Sequence, residues 1–541
     1  MTDPRPDLPP PATFAFADVI ESVVDRVPER IALVVDDARL SYAEVDERAN
    51  RFAHHLASLG VGRDDMVAMY LDNHPDHAIG LLAAFKLAAV PLNVNFRYGA
   101  RELAALLADA EPVAIVFDPA SADVVDEAVA ALGPLDRPIA RNPVGPELDA
   151  ALAAASSERP QVERSGEDLY VIYTGGTTGH PKGVVWRQDD AFFACLGGCD
   201  MTRLEGMVES PDQAPARIMD WELALFPVAP LMHAAAQWNV LSCWTVGAKA
   251  VLHHGALDPD AIWRLVDREN VTSLVIVGDA IGVPLMEQWE ASGGGYDVSG
   301  LISLSSGGAP ISPALRQRIA AAFPDKLIIN GYGSSEAGTQ ALSRQAGSDA
   351  KGSDSPGLMV VGTDVKVIDD EGHELAPGSG EIGRLVAGGR LPLRYHKDPA
   401  KTAATFVELD GRRYLITGDH ASVEADGTIR LHGRGSACIN TGGEKVFVEE
   451  VEGALLSHPA VRDAVVVGVP DERWGSAVTA VVTLDEPLDL DAAREHCRTT
   501  LAGYKLPKHL VVVDAVRRSP AGKADYVWAR EVAADAVAGG S

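Results

Sequence analysis

From Tyr173 to Gly183 the chain reads Tyr-Thr-Gly-Gly-Thr-Thr-Gly-His-Pro-Lys-Gly, gathering backbone freedom, hydroxyl donors and one cation into a single short run. Glycines let main-chain N–H groups close on phosphate oxygens, Thr177 and Thr178 add hydroxyl donors, and Lys182 supplies charge. The chemistry this suits is the gripping of a polyphosphate. No Gly-Lys-Ser/Thr closes the run, so the Walker pattern of P-loop NTPases is not met. Taken alone, the same composition also fits a plain surface loop.

A phosphate loop needs a rigid element behind it, and the β-prone Leu169 to Ile172 supplies one, placing the glycines at the end of a strand, where open α/β sheets bind ligands. Further strands are expected at Met66 to Leu71, Val113 to Phe117, Leu274 to Val277, Leu301 to Leu304 and Leu327 to Ile329. Helix-compatible segments separate many of them, which predicts α/β architecture in layers with largely parallel sheets. Ser41 and Glu44 form a capping box, after which Val45, Ala49, Phe52, Leu56 and Leu59 trace one helical face that Gly60 ends.

At 541 residues the chain exceeds one ordinary core. A formal charge of −30, from 47 basic and 77 acidic residues, argues against nucleic acid or an anionic membrane as a general partner. A polyanionic ligand then needs local cations, for which Lys182, Arg434, Lys445 and Lys523 are candidates. The 5 cysteines are scattered, with no CxxC pair, as expected of a reduced cytoplasm. The Pro-rich, acidic start does not read as a secretory signal, and the apolar stretch Ile79 to Leu92 is interrupted by Lys86 and is too short to span a bilayer.

The phosphate run is followed in order by Gly331-Tyr332-Gly333-Ser334-Ser335-Glu336, Tyr414-Leu415-Ile416-Thr417-Gly418-Asp419, Gly433-Arg434 and Ser519-Pro520-Ala521-Gly522-Lys523. Together these resemble the adenylate-forming (acyl-CoA synthetase, AMP-binding) superfamily over nearly the whole chain. The wording of Asn93 to Tyr98, Tyr173 to Arg187, Gly433 to Phe447 and Ser519 to Tyr526 is similar to actinobacterial fatty-acyl and steroid side-chain CoA ligases. The resemblance implies a large N-terminal domain of layered α/β sheets with a β-barrel-like subdomain (residues 1–433), and a small mobile α+β C-terminal domain (434–541) carrying the catalytic lysine. Ser436 stands where the family's pivot, usually Asp or Lys, sits.

It also implies a reaction in two halves, in which a carboxylate attacks the α-phosphorus of ATP to give acyl-AMP and pyrophosphate, and the thiol of coenzyme A then takes the acyl group. Two anions meet in the first half, so cations and donors are the parts required. Thr174, Gly175, Gly176, Thr177, Thr178 and Lys182 would grip the β- and γ-phosphates, Glu336 would hold Mg²⁺, and Asp419 would take the ribose hydroxyls. Arg434 would reach the ribose or α-phosphate, or else form an interdomain ion pair. Gly307, Gly308 and Ala309 are placed under the adenine with Tyr332 on its other face, and Gly331, Gly333 and Ser335 complete that stretch. A plain turn and a core tyrosine are the competing reading.

Lys523 is expected to present one ammonium to the charge developing during adenylation. For the second half, Gly442, Gly443 and Lys445 resemble the loop that lines the pantetheine tunnel, although a glycine turn before a helix would look alike. His233 falls at the junction of acyl pocket and tunnel, with a gating role or a place in the core as alternatives. Gln237, Trp238, Val277, Gly278, Asp279, Ser306 and Gly338 are further pocket candidates, and their mostly small side chains suit a long or fused-ring acyl group.

The expected activity is therefore ATP-dependent carboxylate:CoA ligation of a hydrophobic acid. The alternative is an acyl-adenylate ligase that hands the acyl group to a carrier protein or amine; no Asp-Ser-Leu-like carrier module is present, and the Gly-Gly-Glu-Lys loop favours CoA. A nucleotide sensor without turnover would not need Lys182, Glu336, Asp419 and Lys523 together. The expected partners are the acid itself, no nucleic acid, no integral membrane segment and, as an open assembly, a second copy in a homodimer.

Overall fold

The computed structural model describes residues 14–174, 182–201, 205–350, 358–361, 364–434, 439–441, 444–471, 475–501, 503–518 and 524–539. Two large sheets organise most of it. A nine-stranded sheet is built on six parallel strands, Leu327–Ser334, Ser303–Gly307, Ser273–Ile276, Ala224–Pro227, Lys249–Leu252 and Ile31–Val35 in spatial order, with antiparallel strands at both edges. A seven-stranded sheet places Leu169–Thr174 beside Val90–Asn93, continues in parallel through Met66–Tyr70, Ala114–Phe117 and Ala140–Pro143, and is flanked on the other side by the antiparallel Lys182–Arg187 and Arg394–Tyr395. Apolar runs in these strands are buried on both faces, as parallel sheets require.

The helices between the sheets carry the largest core. Pro75–Lys86 is buried at every position from Asp76 on, so the apolar stretch noted in the sequence begins in a central helix of the core and runs on into the strand Val90–Asn93. Its one cation, Lys86, is fully buried and donates to Glu21 and, at 2.6 Å, to Asp46, which offsets the cost of taking an ammonium out of water. Among the described residues no helix is long and apolar enough to cross a membrane. The Ser41 capping box forms as expected, with Glu44 N donating to Ser41 Oγ at 3.2 Å and Ser41 N to Glu44 Oε2 at 2.8 Å, at the head of Tyr42–Ser58.

Residues 365–434 add a five-stranded antiparallel sheet, whose last strand, Ile429–Arg434, pairs with Arg412–Val423 as far as Asp419 opposite Arg434. Beyond it lies a smaller unit of three strands, Val461–Asp471, Gly475–Leu484 and His509–Val512, with the helices Val448–Leu456, Leu490–Cys497 and Tyr526–Gly539. Alternation assigns its two faces. Val465, Val467 and Val469 pack with Ala529 and Ala533, whereas Ala464 and Val466 pack with Val451 and Leu455.

Two expected strands shift. The strand expected at Leu301 to Leu304 runs from Ser303 to Gly307, and the one expected at Leu327 to Ile329 continues to Ser334. Apolar side chains marked where each strand is buried, but ladder pairing with neighbours carried the backbone on through Ser305, Ser306 and Gly331 to Gly333.

Candidate active site

The parallel strands of both sheets end at a common set of candidates. Thr174 closes Leu169–Thr174 opposite Lys182 on the antiparallel neighbour. Gly307 ends its strand opposite Gly331, with Ser306 opposite Asn330. Val277, Gly278 and Asp279 follow the strand Ser273–Ile276, and the segment leading to His233 follows the adjacent Ala224–Pro227. The carboxyl edge of a parallel sheet is where such folds expose backbone donors to a ligand.

Tyr332 and Asp419 meet directly, the phenol donating to Asp419 Oδ2 at 2.5 Å, with Asp419 largely buried. Register places Asp419 opposite Arg434, so the phenol, the carboxylate and the Arg434 backbone share one corner. Glu336 lies in the tight turn between Leu327–Ser334 and Gly338–Ala346, not in an open loop. That turn is held closely. Gly338 has φ +68°, and a Cβ there would come within 2.5 Å of the Ala194 carbonyl oxygen, so no other residue fits without movement. Trp186 Nε1 donates to the Ser335 carbonyl at 2.9 Å, tying the turn to the Lys182 strand.

A second knot joins candidates from two segments. Gly278 N donates to Ser306 Oγ at 2.8 Å, Ser306 Oγ donates to the Ala309 carbonyl at 2.6 Å, and Ser312 N donates to Asp279 Oδ1 at 2.9 Å. The glycine segment expected beneath adenine and part of the expected acyl pocket thus share hydrogen bonds. Burial pushes the Asp279 carboxyl up, against the pull of Ser312 and of Arg518 from the C-terminal unit.

Gln237 takes a different place from the one expected. It is 1% exposed, accepts from Tyr170 Oη at 2.7 Å and donates to the Leu231 carbonyl at 2.8 Å, so its amide is committed to the core. An amide so buried must pair with its neighbours, and here those are protein groups. Trp238 also packs into the main core, and His233 immediately precedes the helix Ala234–Thr245.

Sequence reasoning overlooked three residues. Asn93 donates to the carbonyls of Tyr173, at 2.8 Å, and Met232, at 2.6 Å, coupling the strand behind the phosphate run to the His233 segment. Tyr395 Oη donates to Glu336 Oε1 at 3.0 Å; burial first, and then the adjacent carboxylate, pushes its phenol above the usual range. Asp398 accepts from Lys182, and that hydrogen bond holds its carboxyl below the usual range. The Asp-Pro at 398–399 is legible as a helix start, but nothing local announces its partner.

Gly175, Gly176, Thr177, Thr178, Ser436, Gly442, Gly443 and Lys523 lie outside the described residues, as do the side chains of Arg434 and Lys445. Among the described residues no group of three or more His, Cys, Asp or Glu side chains is placed to hold a metal. Glu336 fits Mg²⁺ only in company with phosphate oxygens and water, the usual company of that ion at nucleotides.

A sheet edge with paired carboxylate, phenol and ammonium groups, joined to a small α+β unit, defines an α/β enzyme of two parts. The AMP-binding enzyme model matches residues 20–394, and the model of the AMP-binding enzyme C-terminal domain matches 450–523. The chain belongs to the AMP-binding enzyme family. It is 40% identical over 534 residues to the 3-oxocholest-4-en-26-oate–CoA ligase of Rhodococcus rhodochrous, covering 95% of each chain. It is likewise 40% identical over 532 residues, 95% of each chain, to the medium/long-chain-fatty-acid–CoA/3-oxocholest-4-en-26-oate–CoA ligase of Mycobacterium tuberculosis (strain ATCC 25618 / H37Rv). The solved Mycobacterium tuberculosis fatty acyl CoA synthetase superposes with a TM-score of 0.70 at 26% identity, covering 96% of this chain and 99% of that one.

Proposed function

We propose that this chain is an ATP-dependent carboxylate:CoA ligase acting on a hydrophobic carboxylic acid, either a fatty acid or a steroid side-chain acid. Acid and ATP give acyl-AMP and pyrophosphate; CoA thiol then gives acyl-CoA and AMP. The observation that carries the reading is the convergence of Lys182, Glu336 and the Tyr332–Asp419 pair where the parallel strands end. The acid class follows from the names of the 40%-identical relatives.

In this reading, Lys182, Thr174 and the glycine–threonine run hold the β- and γ-phosphates and leave the α-phosphorus open to in-line attack. Asp419 accepts from the ribose hydroxyls, with Tyr332 fixing its second oxygen, and Gly307 to Ala309 offer backbone to the purine. Glu336, aligned by Tyr395, would hold Mg²⁺, which supplies charge neutralisation on the phosphate oxygens. Lys523 and Arg434 serve the adenylation step, and Gly442, Gly443 and Lys445 the thiol path. His233, Val277, Gly278, Asp279 and Ser306 border the acyl group.

A division near 433/434 is in keeping with the antiparallel sheet, whose ladder reaches Arg434 opposite Asp419, and with the separate three-stranded sheet of the smaller unit. The charge balance and scattered cysteines favour the cytoplasm. Pyrophosphate release and CoA thioester yield with fatty, aryl and sterol acids test the function. Thioester from medium- or long-chain fatty acids or from sterol acids is expected; adenylate passed only to an amine or carrier protein would overturn it.

A further inference from the structure

The four residues from Tyr395 to Asp398 touch both charged groups of the proposed triphosphate site. Tyr395 donates to Glu336 and Asp398 accepts from Lys182. The segment is registered against the Lys182 strand by its own backbone. Arg394 pairs with Val185 and Tyr395 with Val184, and His396 N donates to the Gly183 carbonyl at 2.7 Å. The position of Asp398 relative to Lys182 is therefore set by a sheet ladder and not by chance contact of two flexible side chains.

The two oxygens of Asp398 do separate work. Oδ1 accepts from Lys401 N at 2.9 Å and so caps the helix Pro399–Thr405, whereas Oδ2 takes the Lys182 ammonium. Capping needs an oxygen but no charge, and any of Asp, Asn or Ser provides it. The charge is therefore surplus to the cap and is aimed at the cation expected to meet the β- and γ-phosphates.

We propose that Asp398 is a positioning residue for Lys182, holding its ammonium at the phosphate site while competing for it with ATP and with released pyrophosphate. This rests on the reading of Lys182 as a phosphate contact. Each anion that binds must share or displace Asp398, so the apparent affinity for both is lowered by the same fraction. The consequence falls on turnover, because weaker pyrophosphate retention favours the forward reaction.

Asp398→Asn keeps the cap oxygen and removes the competing charge, and Asp398→Ser serves the same purpose should the amide disturb the turn. ATP affinity by calorimetry and pyrophosphate inhibition of acyl-CoA formation are then measured in full-length protein, alone and combined with Lys182→Ala. Both anions are expected to bind about threefold to fivefold tighter in the Asp398 variants, the scale of a partly exposed ion pair. The gain should vanish in the Lys182→Ala background. Unchanged or weaker binding in both Asp398 variants overturns the proposal, as does a gain that persists without Lys182. If Lys182→Ala leaves ATP affinity unaltered, the phosphate reading of Lys182 fails, and the proposal fails with it.

Discussion

At the scale of single residues, the proposed site holds its charges by pairing, Lys182 with Asp398, and Glu336 and Asp419 each with a tyrosine hydroxyl. Lys523 is the residue whose removal should divide the reaction most cleanly. Lys523→Ala is expected to slow acyl-AMP formation by about 2.7 to 4 kcal/mol of barrier, the scale of a lost preorganised electrostatic contact. Thioester formation from supplied acyl-AMP should stay near the wild-type rate. Single-turnover measurement of each half separately checks this, and an equal loss in both would assign the lysine a general structural role.

Among the elements, the central helix Pro75–Lys86 shows how a cation is accommodated in a core. Glu21 also accepts from Arg164, and Asp46 from Arg159, so both carboxylate partners of Lys86 are shared with an arginine. Lys86→Ala leaves buried carboxylates with less compensation and is expected to destabilise the fold by about 3 kcal/mol, measurable as a lower urea midpoint. In the helix Val448–Leu456, Glu452 is pushed up to about 7, first by burial and then by the neighbouring Glu449 carboxylate, although Val466 N donates to it at 2.8 Å. Its proton is held in the folded state after the unfolded chain has released it near the ordinary glutamate value of about 4.5. Stability of the C-terminal unit should thus be highest below about pH 4.5 as far as this group is concerned, and fall as pH rises towards 7. Glu452→Gln should flatten that part of the stability–pH curve, which thermal unfolding at a series of pH values will show.

For the whole molecule, the small unit meets the large one through side chains that belong to neither site alone. His432 Nδ1 lies 3.3 Å from Glu450 Oε1, Lys505 donates to the other oxygen of Glu450, and His432 Nε2 lies 2.9 Å from Ser422 Oγ. The proposed two-step reaction calls for this unit to dock in two ways, which such a contact suits because polar pairs re-form more readily than an apolar interface. Gly443→Trp is expected to block thioester formation while pyrophosphate release survives, so adenylate accumulates on the enzyme. Chromatography of quenched single-turnover reactions would detect it, and thioester at the wild-type rate would remove Gly443 from the thiol path.

The order of the motifs was enough to place this chain in its family, because phosphate gripping and adenylation demand glycines, hydroxyls and cations whose identity is written locally. The Ser41 cap and the strand Leu169–Thr174 were legible for the same reason, each resting on neighbours a few positions away. Tertiary structure alone decided the contacts across the chain. Gln237 looked like a pocket residue until Tyr170 and Leu231 were brought against it, and Asp398, overlooked in the sequence, is carried to Lys182 by a ladder between strands. No local pattern encodes such pairs, since they join residues 216 positions apart in one case and 67 in the other. They form because burial and sheet register bring the two partners together, and a polar group in that setting must find whichever partner the fold has placed beside it.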